Sequence, residues 1–160
     1  MVQTWRIRRK WRTGRLRVWR KRLLRQMELM SRRLPIRIRC SLRLSWGPFY
    51  GGSVRIDRKC TRATIYIQIP YDRFLTADER DVLSAYELGK SALPYFIFFH
   101  ECYHLIDALA DFRRSGDLAA YRDALAGAVR RSANYRSLPV EACADEYAYR
   151  QYAEMRAAAG

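Results

Sequence analysis

Histidine is almost missing from this chain: two occur among 160 residues, and both fall in one five-residue stretch, His100-Glu101-Cys102-Tyr103-His104. Long apolar runs are missing too. The longest near that stretch, Ala92 to Phe99, is interrupted by Pro94 and is far short of the ~20 residues that cross a bilayer. The N-terminus is positively charged but lacks an apolar segment behind the charge, so no secretory signal is expected. A cytoplasmic protein is the resulting expectation. No two of the four cysteines form a C-x-x-C pair, which argues against a zinc knuckle or a thioredoxin-like motif. Cys40, Cys60, Cys102 and Cys143 are expected as small core residues rather than disulfides.

Acidic residues are scarce in only one part of the chain. Residues 1–43 hold sixteen Arg or Lys against one acid, Glu28, whereas residues 44–160 hold fifteen of each sign. The net charge of +15 therefore belongs to a basic arm at residues 1–33 and the segment after it. A neutral domain is expected over 34–160. Within the arm, Leu16, Trp19, Leu23, Met27 and Met30 recur at helical spacing with arginines between them, and Gly14 is a candidate break. One reading is an amphipathic basic helix that grips phosphates through Arg8, Arg9, Arg12, Arg20 and Arg22, with tryptophans stacking on bases. The other is a solvated helix covering the domain's hydrophobic face, or a leader upstream of a true start at Met27 or Met30.

After the arm the hydrophobic period changes. Residues 36–46 alternate strictly, with Ile36, Ile38, Cys40, Leu42, Leu44 and Trp46 on one side, the pattern of a strand with one buried face. Gly47-Pro48 and Gly51-Gly52 punctuate the chain, a short strand follows at Val54 and Ile56, and Ala63 to Ile69 alternates again. Three consecutive strands predict a small, mainly antiparallel sheet. From Thr76 onward the pattern is helical. Thr76-Ala-Asp-Glu79 reads as a capping box, with Gly89 at the C-terminal turn of that helix. About four helices are expected after the sheet, the last starting at Pro139, so the fold class is α+β, with the basic arm as a further helix.

On a helix, His100 and His104 share a face one turn apart and can offer two imidazole nitrogens to one ion. Glu101 is offset, within reach of a metal-bound water whose proton it can take. The third ligand must come from elsewhere. A ligand six residues after the second histidine is ruled out because that position is Ala110. Glu141, in the first turn of the last helix, is the better candidate, with Asp145 one turn on to accept the free N–H of a ligand histidine. Asp107 is the rival ligand. Tyr149 shares the Glu141 face, where it either packs or donates to an oxyanion.

HECYH followed by Glu141-x-x-x-Asp145 resembles the gluzincin division of zinc metallopeptidases. The stretch Glu141-Ala-Cys-Ala144-Asp145-Glu-Tyr147-Ala148 is similar to the E-x-x-A-[ND]-x-[FY]-A segment of the ImmA/IrrE-type metallopeptidases, over roughly residues 60–150. The resemblance implies a zincin fold and zinc on His100, His104 and Glu141, with Glu101 as base and Asp145 behind a ligand. It also implies a strand such as Ala63 to Ile69 pairing with an extended peptide substrate. Cys102-Tyr103 departs from the Leu-Gly more often found there. The competing reading is a nucleic-acid-binding protein with a structural or sensing zinc site.

Overall fold

A computed structural model of the chain describes the backbone of residues 2–71 and 74–158, and within that range the side chains from residue 14 onward. Helix α1 (Val2–Ser31) leads into β1 (Arg39–Gly47), β2 (Gly51–Ile56) and β3 (Arg62–Pro70). Four helices follow: α2 (Ala77–Ala85), α3 (Leu93–Ser115), α4 (Leu118–Arg131) and α5 (Pro139–Ala157). Short 3-10 turns at Lys90–Ala92 and Tyr135–Ser137 precede α3 and α5. The α+β class, the three strands and the four following helices are as expected.

The sheet order is β1-β3-β2, with β1 parallel and β2 antiparallel to β3. The sheet is therefore mixed, where simple hairpin succession predicts mainly antiparallel pairing. The reason lies at residues 48–50, which cross the end of β3 so that β2 descends on its far side. Gly47 permits that crossing, because a Cβ there would overlap the Gln68 side chain. Gln68 Nε2 then donates to the Phe49 carbonyl at 2.9 Å. The strand implied to pair with substrate, Ala63 to Ile69, lies in the centre of the sheet with both neighbours in place. The free edge beside α3 is β2.

The core forms where periodicities from different elements meet. From β3 come Ile65, Ile67 and Ile69; from α3 come Phe98, Cys102, Leu105 and Leu109, spaced to lie on one helical face. Helix α1 contributes Leu23, Met27 and Met30, while Leu16 and Trp19 pack against the same cluster. Trp19 meets Tyr95 edge-on at 5.3 Å. The stripe thus covers the domain's hydrophobic face, while Arg20 and Arg22 remain exposed. The side chains of Arg8, Arg9 and Arg12 lie outside the described residues. Gly14 does not break α1; one interior glycine costs about 1 kcal/mol relative to alanine, which the packed stripe outweighs.

Two turn assignments also sharpen. The Thr76–Glu79 capping box is present with both reciprocal bonds, and Glu79 Oε1 in addition accepts from the Tyr50 N–H at 3.0 Å, tying the crossover to α2. At the end of α2, Glu87 rather than Gly89 takes the left-handed conformation, with φ 51°. The α3–α4 corner does use a glycine, Gly116, at φ 72°.

Because Leu23 is fully buried, Leu23→Ala is expected to lower unfolding free energy by about 2–5 kcal/mol. The exposed control Arg20→Ala should stay within about 0.5 kcal/mol. Chemical denaturation reads both, and equal midpoints would show that α1 is not part of the folded core.

Candidate metal centre

Helix α3 carries the two histidines and α5 carries the carboxylates. Inside α3, Pro94 occupies the first turn, where its missing N–H has no intrahelical role. Pro139 does the equivalent work on α5. Ala144 and Ala148 are both fully buried, and such small side chains let two helices approach closely. Glu141 lies one turn before Ala144 on the same face, so its short side chain reaches across to α3.

The nitrogen and oxygen atoms converge. His100 Nε2 and His104 Nε2 are 3.0 Å apart. Glu141 Oε2 lies 3.2 Å from the first and Glu141 Oε1 3.5 Å from the second. A tetrahedral ion with donors at ~2.0–2.1 Å sets its ligand atoms about 3.3 Å apart; one atom from each of the three residues can be chosen so that all lie within 4.8 Å of one another, close enough for small side-chain adjustments to meet that spacing. The donor set, two imidazoles and one carboxylate, suits a divalent ion such as zinc. His100, His104 and Glu141 thus form a cluster able to hold a divalent metal.

Behind the cluster, His100 Nδ1 donates to Asp145 Oδ1 at 2.8 Å, which directs the lone pair of Nε2 at the shared point. Arg136 Nη2 donates to Asp145 Oδ2 at 2.9 Å, so a relay Arg136–Asp145–His100 fixes the ring. His104 Nδ1 is buried with no hydrogen-bond partner among the described residues. The two histidines of the cluster are therefore unequally supported. Helix periodicity could not have found Arg136, which sits in the irregular stretch between α4 and α5.

Glu101 is buried beside the cluster, with about 8% of its surface exposed. Its closest neighbour across the cleft is the edge strand. A Cβ on Gly52 would lie 2.5 Å from Glu101 Oε1 and 2.8 Å from Ile97 Cγ2. The Gly51-Gly52 pair, legible in the sequence only as a break, is thus the place where β2 comes down onto the carboxylate. Two cavities of about 450 and 360 Å3 open on either side, and both are lined by Gly52, His100, Glu101 and Tyr135. The smaller has an apolar floor that includes Val54, Ile56, Leu118 and Leu125.

Other candidate residues lie elsewhere. Asp107 accepts from the Tyr121 hydroxyl at 2.8 Å and is not part of the donor cluster. Tyr149 stacks on Tyr86 at 5.1 Å and is largely exposed; it lines neither cavity, whereas Tyr135 lines both. Cys102 and Cys60 are buried and Cys40 partly so, but Cys143 is exposed rather than in the core. Its thiol lies beside the hydroxyl of Tyr103 on α3.

No protein-family model, curated protein or solved structure matches this chain. The geometry alone therefore carries the functional argument. No described helix is long and apolar enough to cross a membrane.

The charges in the cluster shift one another. Burial alone would lower the pKa of His100, but hydrogen bonds to Asp145 and Glu141 and the nearby charge of Glu101 raise it to about 9. Burial would raise Glu141, yet hydrogen bonds from His100 and His104 hold it down at about 2. Burial pushes Glu101 up, the two histidines oppose the rise and Glu141 reinforces it. For metal-free protein the linkage has a definite sign. The raised His100 stabilises fully below its unfolded value of about 6.5 and loses that contribution as pH rises through about 9. Glu141 contributes above about 4.5 and loses its contribution as pH falls through about 2. Chelator-treated protein should therefore lose thermal stability between pH 6.5 and 9. His100→Gln should abolish most of that loss. A flat Tm across this window in the wild type would contradict the assigned His100 environment.

Proposed function

We propose that this chain is a zinc-dependent metallopeptidase of the gluzincin type, similar to the ImmA/IrrE-type enzymes, with His100, His104 and Glu141 as the zinc ligands. The observation that carries the reading is the convergence of three donor residues, with each histidine Nε2 within 3.5 Å of a Glu141 oxygen and 3.0 Å from the other histidine, beside a buried Glu101 that lines the cleft. A zinc ion there would lower the pKa of a bound water and polarise the scissile carbonyl.

The remaining work belongs to the chain's own groups. Glu101 takes the water's proton and returns one to the leaving amine; burial raises its pKa, which makes its carboxylate a stronger base. Asp145, gripped by Arg136, keeps His100 in one tautomer. The open edge of β2 offers backbone N–H and C=O groups to an extended peptide. Tyr135 takes the role first considered for Tyr149, offering its hydroxyl to the developing oxyanion, because it lines the cavities on both sides of His100 and Glu101. A purely structural metal site has no use for a buried carboxylate beside its ligands.

Two variants separate binding from chemistry. Glu101→Gln should retain one zinc per chain and lose about 10²–10⁴-fold in hydrolysis of a mixed peptide library, the range of a general base. Gly52→Ala should also retain zinc and lose hydrolysis, since the added methyl collides with Glu101. Mass-spectrometric detection of cleaved peptides and metal analysis read the two properties separately. Wild-type protein that cleaves nothing when zinc-loaded, or Glu101→Gln cleaving at the wild-type rate, would overturn the reading.

A further inference from the structure

Every helix that packs on the sheet does so on one face, the one carrying Leu42, Ile56, Ile65, Ile67 and Ile69. No described helix packs on the opposite face. Strand alternation places Arg39 and Arg43 of β1, Arg55 of β2 and Arg62 of β3 there, and all four are exposed. Between them lie Ser41 and Thr64, whose hydroxyls bond each other at 2.9 Å, and the partly exposed ring of Tyr66, with the Arg55 guanidinium 5.2 Å from its centroid. Residues 39–70 contain six Arg or Lys and one acid, Asp57. Asp57 sits in the β2–β3 turn, where its oxygens are occupied by Thr61 and the Arg62 N–H. None of the four arginines forms an ion pair with a described residue.

The register makes this costly. Arg39 and Arg62 are direct cross-strand partners, and like charges in that position destabilise a sheet. Four exposed arginines without an ion-pair partner, of which only Arg62 feels a nearby acid, Asp57, are suited to an external polyanion. The chemistry of the face narrows the choice. It presents no large aliphatic side chain for insertion into a bilayer. It has no protruding helix or ribbon to enter a duplex groove. Guanidinium forks and hydroxyls suit phosphate oxygens, and an aromatic ring suits an unpaired base.

We propose that the outer face of the three-stranded sheet, through Arg39, Arg43, Arg55, Arg62 and Tyr66, binds single-stranded nucleic acid. This surface is separate from the metal centre, which lies on the helix-covered side. It is also separate from the α1 arginines, which add to the positive field without forming the contact.

Fluorescence anisotropy with full-length protein and a mixed-sequence single-stranded DNA of about 20 nucleotides, titrated at graded salt, tests this. Replacing all four arginines by serine should flatten the slope of log K against log salt by about 3, at about 0.7 per phosphate contact for a single strand. Tyr66→Leu should weaken binding about fivefold or more. The α1 control, Arg20→Ser with Arg22→Ser and Arg25→Ser, should change the slope by less than about 1, because it removes field rather than contacts. Relief of the Arg39–Arg62 repulsion should leave the Tm of the fourfold variant at or above that of wild type. If the fourfold variant fails to fold, Arg43→Ser alone should still flatten the slope by about 0.7. The proposal is overturned if the sheet variants keep the wild-type slope, or if the α1 variant accounts for the loss. It is also overturned if a duplex or a polyglutamate peptide binds as tightly as the single strand.

Discussion

The close approach of α5 to α3 is the constraint on which the centre of this molecule depends. Ala144 and Ala148, both without exposed surface, let the two helices pack closely enough for a glutamate to span the gap. A larger residue at either position would force the helices apart, because packed interiors have few voids to absorb added volume. The separations of 3.0–3.5 Å between donors are therefore a packing result before they are a chemical one. The opposite face of α3, anchored by Phe98, Cys102, Leu105 and Leu109, sets the rotation of that helix and so aims the histidines.

Around that contact the chain separates its tasks by side. On the helix-covered side of the sheet, β2 descends onto Glu101 at Gly52, and the two cavities share that carboxylate as a common wall. On the other side the strands present arginines and hydroxyls to solvent. Helix α1 belongs to both descriptions. Among the described residues its apolar stripe enters the core, while arginines dominate its exposed surface.

Much of this was legible in the residues. Strict alternation over β1 and β3, the capping box at Thr76 and the four-residue spacing of His100 and His104 report local geometry, and local geometry is what pattern carries. Glu141 and Asp145 were legible as partners because two residues one turn apart on a later helix can meet a histidine pair in only a few ways. Strand order was not legible, because it turns on how residues 48–50 cross the end of β3, which no hydrophobic period records. Arg136 and Tyr135 come from an irregular segment with no repeat to read. Tyr149 shares a nominal face with Glu141, but two further turns along α5 carry it past the end of the cleft to Tyr86. Gly52 looked like punctuation because a glycine forced by a neighbour 45 or more residues away resembles one forced by a turn.

The most direct test of the account is the zinc affinity of the chelator-treated protein, measured by calorimetry for wild type and for Glu141→Ala. The account predicts one zinc per chain in wild type, with proton release as His100 gives up its proton. It also predicts a loss of about 100-fold or more in affinity for the variant, whose remaining site has two protein ligands where three are required. Wild-type protein that takes up no zinc, or a Glu141→Ala variant that binds it as tightly as wild type, would contradict the assigned centre.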